Sequence, residues 1–219
     1  TAIVLGGTGL TGSLLIKQLV DDERYACIKL FSRKASGISS EKLEEHIGDL
    51  LQMEQFKDDF TADEVFCCVG TTSAKTKDRA VYRAIDYGIP VAAATLAREN
   101  NISTFLVISS MGANPRSRVF YSRTKGEMEL AVSDKNIPHT YILRPSLILG
   151  QRMEKRISES LGAAVLKVTN ILLVGKMKKY RAIEADSIAA AMIQLAFSRP
   201  PSGVVLSDKL QALGTTGAI

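Results

Sequence analysis

The sequence predicts an α/β protein: a Rossmann-like, doubly wound parallel sheet with helices on both faces and a small C-terminal cap. Three observations carry that prediction. Apolar runs of strand length alternate with longer runs of helical period along the chain, as in a parallel sheet whose crossover helices cover both faces. The strand-like runs are apolar throughout, as strands buried on both sides are. The informative polar clusters follow the ends of predicted strands, where open α/β sheets bind their ligands.

Residues 2–5 (AIVL) form the first strand and residues 10–20 the first helix. Residues 27–31 are the second strand, and "HIGDL" at 46–50 is a short third. A brief helical stretch around 53–60 precedes "EVFCCVG" at 64–70, the fourth strand. Residues 78–100 have the length and alanine content of one long helix, ended by Asn100 and Asn101. "TFLVISS" is the fifth strand, "SRTKGEMELAVSD" a helix, and "HTYILRPSLILG" the sixth strand, stopped at Arg144-Pro145. "EADSIAAAMIQLAFS" is a helix from about Asp186, and "GVVLS" is a last edge strand.

With no linker or repeat, residues 1–219 read as one domain. Residues about 1–150 form the core, about 151–180 a small cap or substrate/partner segment, and 181–219 the returning helix and last strand. Leu161, Val165 and Val168 fall at helical spacing, an apolar face that packs over the cofactor or docks another subunit or protein partner. The cations of "KMKKYR" at 176–181 read as a solvated turn.

A net charge of +5 with dispersed basic residues, and only 6% aromatic residues, argues against a nucleic-acid platform. Three cysteines and two histidines make neither a disulfide framework nor a metal set, so no metal is expected. Free cysteines place the protein in a reducing compartment, read here as the cytoplasm. No apolar stretch approaches the ~18 residues of a membrane span. Because the chain starts inside a strand-like run, residues ahead of Thr1 are expected; no secretion signal is seen.

In "GGTGLTG", Gly6, Gly9 and Gly12 are spaced G-x-x-G-x-x-G directly after a strand and at the opening of a helix. A tight turn needs a residue free to take positive φ, and a pyrophosphate needs backbone without a Cβ in its way. The helix N-terminus then offers N–H groups and partial positive charge to the anion. Thr8 and Thr11 add hydroxyl donors, and Leu10 opens the helix.

The second strand ends in Ser32, Arg33 and Lys34, with no carboxylate until Glu41. A carboxylate there would accept the ribose hydroxyls of NAD(H) and repel a 2′-phosphate, whereas a guanidinium forks onto that phosphate. NADP(H) is therefore preferred over NAD(H). Asp49 and Leu50, after the third strand, stand where an adenine could be held.

The fifth strand ends in Ser109-Ser110, and "YSRTK" follows, placing Tyr121 and Lys125 at i and i+4 on one helix face. An ammonium one turn from a tyrosine favours the phenolate, which suits proton transfer at a carbonyl. A serine hydroxyl would hydrogen-bond the substrate oxygen while hydride comes from a nicotinamide. Ser109 fits an S-x-x-G pattern ending at Gly112 and is preferred; Ser110, one position on and on the other strand face, is kept beside it.

At this point the chain resembles the short-chain dehydrogenase/reductase superfamily in its G-x-x-G-x-x-G, atypical or extended branch. More narrowly it is similar to the Tat-interacting-protein-like oxidoreductases. The resemblance rests on the glycine loop, "FCCVGTT", "SSMGAN", "FYSRTKGEME" and "LRPSLILG". It implies that Gly6 to Gly12 hold the pyrophosphate and that Arg33 and Lys34 hold the 2′-phosphate. It further implies that Val69, Gly70, Thr71, Thr72 and Ile108 line the dinucleotide. Tyr121 and Lys125 would be the catalytic pair, and Arg144, Pro145 and Ser146 would border the nicotinamide. Extended members carry a large C-terminal substrate domain; here only about seventy residues follow the sixth strand, so a small or open pocket is expected.

The expected function is NADP(H)-dependent hydride transfer to or from a small carbonyl or alcohol. The alternative is an NADP(H)-sensing regulatory or interaction protein with little turnover. A third is a flavin or tetrapyrrole reductase that does not depend on Tyr121.

Overall fold

The computed structural model describes residues 1–150 and 173–216. Seven strands form one all-parallel sheet in the order β3-β2-β1-β4-β5-β6-β9. They are β1 (Ala2–Leu5), β2 (Ile28–Ser32), β3 (Leu43–Ile47), β4 (Glu64–Cys67), β5 (Thr104–Ile108), β6 (His139–Arg144) and β9 (Gly203–Leu206). From β1 the chain winds outward to β3, then crosses back to β4 on the other side of β1. This reversal opens a crevice beyond the carboxyl ends of β1 and β4, the ligand position of doubly wound sheets.

Both faces of the sheet are buried. Ala2 and Val4 of β1 pack with Leu15, Ile16 and Leu19 of α1 (Leu10–Asp21) and with α5 (Ala185–Ser198). The alternating Ile3 and Leu5 face the opposite layer, built on α3 (Ile89–Glu99) and α4 (Phe120–Ser133). Strands flanked by apolar layers on both sides carry the continuous apolar runs seen in the sequence.

Several elements depart from the sequence expectations. The third strand lies earlier, at Leu43–Ile47, and residues 48–50 leave the sheet. It is an edge strand with mostly exposed or half-exposed residues, so no apolar run marks it. The expected helical stretch around 53–60 is a 3-10 turn, Leu50–Phe56, capped by Asp49. A short parallel pair, β7 (Ile148–Leu149) with β8 (Ile183–Glu184), and a last helix, α6 (Ser207–Thr216), were not anticipated. Of the expected cap, residues 151–172, including Leu161, Val165 and Val168, lie outside the described residues; Gly175–Tyr180 is a 3-10 turn.

The long helix expected over 78–100 is interrupted. It runs as α2 (Arg79–Arg83), one π turn (Ala84–Gly88), then α3. Pro90 explains the break, because it has no N–H to donate and its ring crowds the carbonyl of residue 86. In the π turn the Ile89 N–H reaches the Ala84 carbonyl instead. The extra residue in that turn is accommodated with Asp86 fully buried, and such turns recur at functional sites.

Candidate active site

The glycine loop closes against β4. Gly6 has φ 79°, a left-handed conformation, and a Cβ there would lie 2.8 Å from the Cys68 carbonyl. A Cβ on Gly12 would lie 2.3 Å from the Gly6 carbonyl oxygen, so α1 starts directly on the loop. The Gly9 N–H donates to the Gly6 carbonyl at 2.9 Å, tightening the turn. Gly9 caps α1 without a side-chain hydrogen bond, and no acidic residue sits in the first turn. Its leading N–H groups are thus available to an anion. Thr8, Gly9 and Leu10 are exposed, Thr11 is buried, and Leu10 rests against Gly150.

At the tip of β2, Arg33 and Lys34 are exposed, and no ion pair engages either among the described residues. Ser32 is buried, and its hydroxyl donates to the Lys34 carbonyl at 2.6 Å; it shapes this turn rather than facing outward. Asp49 spends its carboxylate on the Leu51 N–H at 3.0 Å, and Leu50 is buried in the apolar layer. Of the two expected adenine-site residues, Asp49 is exposed and Leu50 is buried.

Beyond β4 lies a buried ion pair that sequence reading missed. The Lys125 ammonium sits 3.0 Å from Asp86 Oδ1, with side chains 5% and 1% exposed. This contact is ionic, without hydrogen-bond alignment at Oδ1; the ammonium also donates to the Ile108 carbonyl at 3.3 Å. Asp86 Oδ2 accepts from the Thr71 N–H at 2.7 Å, which fixes the loop after Val69 and Gly70. A Cβ on Gly70 would lie 3.6 Å from Asp86 Oδ1 and 3.8 Å from Lys125 Nζ, so the pair lies directly under that exposed backbone. At an effective dielectric near 20 the attraction is about 5 kcal/mol. Desolvation removes several kcal/mol per ion, so the pair adds little net stability. Its larger consequence is electrostatic: a carboxylate stands beside the lysine.

Tyr121, one turn before Lys125 on α4, is 39% exposed. The loop leading to α4 lies on Gly126, where a Cβ would come within 2.3 Å of the Pro115 nitrogen. That close approach brings the end of β5 and the start of α4 together. Tyr82 packs edge-on against Phe120, donates from its hydroxyl to the Thr71 carbonyl at 3.3 Å, and is pushed well above the ordinary phenol range by burial.

The two serines differ. Ser109, the residue preferred from sequence, donates its hydroxyl to Glu129 Oε1 at 2.5 Å. The buried Ser110 hydroxyl has no hydrogen-bond partner among the described residues. Glu129 is itself gripped by Arg144, so Arg144 braces α4 against the end of β6. Pro145 is buried and its carbonyl accepts from the Met111 N–H at 3.0 Å. Ser146 donates to the Arg181 carbonyl and lies 3.0 Å from the Ser207 hydroxyl. Glu129 stands four residues after Lys125, a spacing that put a carboxylate on the same inward helix face; that signal was in the sequence.

A nicotinamide dinucleotide fits these residues: the cradle is backbone that a Cβ would fill, and an orphaned hydroxyl marks its far end. Among the described residues, no group of three candidate ligands could hold a metal, and no helix is long and apolar enough to cross a membrane.

A family profile described as NAD(P)H-binding matches residues 6–198. Protein FMP52, mitochondrial, of Candida albicans is 30% identical over 219 residues, covering 98% of this chain and 94% of its own. Protein HTATIP2 of Rattus norvegicus is 27% identical over 163 residues, covering 73% and 67%. Among solved structures, MoeE5 in complex with UDP-glucose and NAD superposes with a TM-score of 0.70 at 16% identity, covering 99% of this chain and 81% of that one. That last likeness speaks for the fold alone.

These relatives correct one expectation. The cytoplasmic placement does not stand, because several fungal relatives are named as mitochondrial. Free thiols separate reducing from oxidising compartments and do not tell the cytosol from a reducing space within an organelle.

Proposed function

The chain belongs to the NAD(P)H-binding, atypical short-chain dehydrogenase/reductase family, and on that premise we propose that it is an NADP(H)-dependent oxidoreductase of small carbonyls or alcohols. The reading is supported by the buried Lys125, which lies under Gly70 and donates to the Ile108 carbonyl at the end of β5, with the exposed Tyr121 one helical turn before it and the unpartnered Ser110 hydroxyl two residues after Ile108. Gly6, Gly9 and Gly12 with the first N–H groups of α1 would hold the pyrophosphate. Arg33 and Lys34 would hold the 2′-phosphate, and the Thr71–Thr72 loop would lie along the dinucleotide. Bound nicotinamide supplies or accepts the hydride.

The chain's own part is proton handling and orientation. Tyr121 Oη gives or takes the proton at the substrate oxygen. Ser110 donates its hydroxyl to that oxygen, since Ser109 is committed to Glu129. Lys125, anchored by Asp86 and the Ile108 carbonyl, sets the charge beneath the tyrosine. The names of the fungal relatives favour a mitochondrial setting.

Titration of NADPH and NADH into the purified protein, followed by a carbonyl panel read by loss of nicotinamide absorbance, tests this. Tighter binding of NADPH with consumption on at least one carbonyl supports it. NADPH binding without consumption on any of them favours the cofactor-sensing alternative.

A further inference from the structure

Three features stand outside the function above: the apolar groove beside edge strand β9, the exposed cations in the loops ahead of α2 and α4, and a cavity between the Gly175–Tyr180 turn and α6. Nothing in the structure shows what would cover the groove, and the loop cations lie open to solvent. The cavity carries an inference.

Its volume is about 550 Å³, within the range of small-molecule sites. The walls are Lys178 and Arg181, from the run read in the sequence as a solvated turn, Ile183 of β8, and Ser207, Asp208 and Gln211 of α6. The neutral donors are largely committed elsewhere. Ser146 gives its one hydroxyl proton to the Arg181 carbonyl, so the Ser207 hydroxyl, 3.0 Å away, donates to Ser146 Oγ. The Gln211 amide donates to the Ser187 hydroxyl at 3.4 Å.

The cations are not committed in this way. Among the described residues, no carboxylate forms an ion pair with Lys178 or Arg181. Arg181 Nε donates to the Leu173 carbonyl at 2.7 Å, which steadies the guanidinium, and no described residue accepts from its Nη groups. A guanidinium held in this manner can fork onto two oxygens of one anion. Asp208 is the carboxylate of the described wall, and it stands in the first turn of α6, where the helix dipole offsets part of its charge. Two cations against one carboxylate leave the wall net positive.

We propose that this cavity takes an anionic end of the substrate, a carboxylate or a phosphate, so that the substrate is a small carbonyl or alcohol carrying negative charge. This rests on the oxidoreductase reading and names the substrate class for it. Arg181 forks onto the anion, Lys178 supplies a second charge, and Ile183 offers an apolar wall to the carbon chain. One strap, residues 145–150, joins the cavity to the site described above. Ser146 of the strap holds Arg181 and Ser207 of the cavity wall. Pro145 beside it accepts from the N–H of Met111, the residue after Ser110, at 3.0 Å. At the far end of the strap a Cβ on Gly150 would lie 2.7 Å from the Leu10 side chain, at the start of α1.

The first measurement needs no turnover. Wild type, Lys178→Ala and Arg181→Ala are titrated with inorganic phosphate and with succinate by calorimetry. The glycine cradle is intact in all three, so anion binding there cancels in the comparison. Each variant is expected to bind the preferred anion at least about tenfold more weakly, the scale of one charge-assisted hydrogen bond. The tighter of the two probes tells a phosphate site from a carboxylate site. Lys178 is exposed, with no side-chain hydrogen bond or ion pair among the described residues, so its variant reads the charge without a folding defect. Wild type that binds neither anion, or variants that bind as tightly as wild type, overturn the proposal.

The second measurement is NADPH-dependent turnover on matched pairs, succinic semialdehyde against butanal and glycolaldehyde phosphate against glycolaldehyde. In wild type, kcat/KM for the charged member of at least one pair should exceed that of its neutral partner by about tenfold or more, and Arg181→Ala should narrow the gap. Neutral members consumed as well as charged ones overturn the substrate class and leave the oxidoreductase reading standing. If anion binding depends on Lys178 and Arg181 but no member of either pair is consumed, the oxidoreductase reading has failed and the substrate assignment falls with it.

Discussion

Arg144 grips Glu129 with two hydrogen bonds, Nε to Oε1 at 2.9 Å and Nη2 to Oε2 at 2.5 Å. The Ser109 hydroxyl adds a third to Oε1. Three elements are joined at one carboxylate: the end of β5, the inward face of α4 and the end of β6. Glu129 is buried and Arg144 partly so, and a pair of this kind adds little by existing but costs more when halved.

Glu129→Ala leaves the Arg144 guanidinium without its counter-charge. Because the Arg144 side chain stays partly solvated, the expected loss is about 1–3 kcal/mol in urea unfolding, below that of a fully buried pair. A change within about 0.5 kcal/mol, the range of ordinary surface substitutions, would contradict the brace.

Gly6→Ala forces a Cβ onto a backbone with φ 79° and against the Cys68 carbonyl. The variant should unfold at lower temperature and bind NADPH at least tenfold more weakly, about 1.4 kcal/mol. Unimpaired NADPH binding by calorimetry would remove the loop from the cofactor site.

Arg33→Ala should weaken NADPH by roughly 10–100-fold, the scale of a charge-assisted hydrogen bond, while NADH affinity stays close to wild type. Equal losses for the two cofactors would show that Arg33 does not face a 2′-phosphate. The exposed position of Arg33 at the tip of β2, with no ion pair among the described residues, motivates the comparison.

Burial holds the Glu64 carboxyl above its ordinary value of 4.5, even though the Tyr25 hydroxyl donates to it. The fold therefore favours the protonated acid, whose contribution is complete below 4.5 and is lost as pH rises through the raised value. Glu64→Gln carries no such titration. Between about pH 4.5 and 7, wild type should lose stability relative to Glu64→Gln in parallel urea series. A gap that stays constant with pH would show that Glu64 does not titrate in this window.

The cradle was readable because its causes are local. An apolar run, three glycines at fixed spacing and a helical run lie within about twenty residues, and each demands its own backbone geometry. Tyr121 and Lys125 share a helix face by spacing alone. The partners of that pair were not readable. Asp86 reaches Lys125 from the π turn just ahead of Pro90, an irregularity that regular helical periodicity does not show. The choice between Ser109 and Ser110 likewise turns on Glu129, a contact across elements that no spacing within β5 reveals. The third strand was misplaced because an edge strand is not obliged to be apolar.

The central claim is that Tyr121 moves the proton while other residues hold the cofactor. The most direct measurement is Tyr121→Phe, assayed for NADPH affinity by calorimetry and for carbonyl-dependent NADPH oxidation by absorbance. Loss of turnover by at least about a hundredfold, the lower bound of general acid–base catalysis, with NADPH affinity nearly unchanged, is the predicted result. Full turnover in the phenylalanine variant would contradict it.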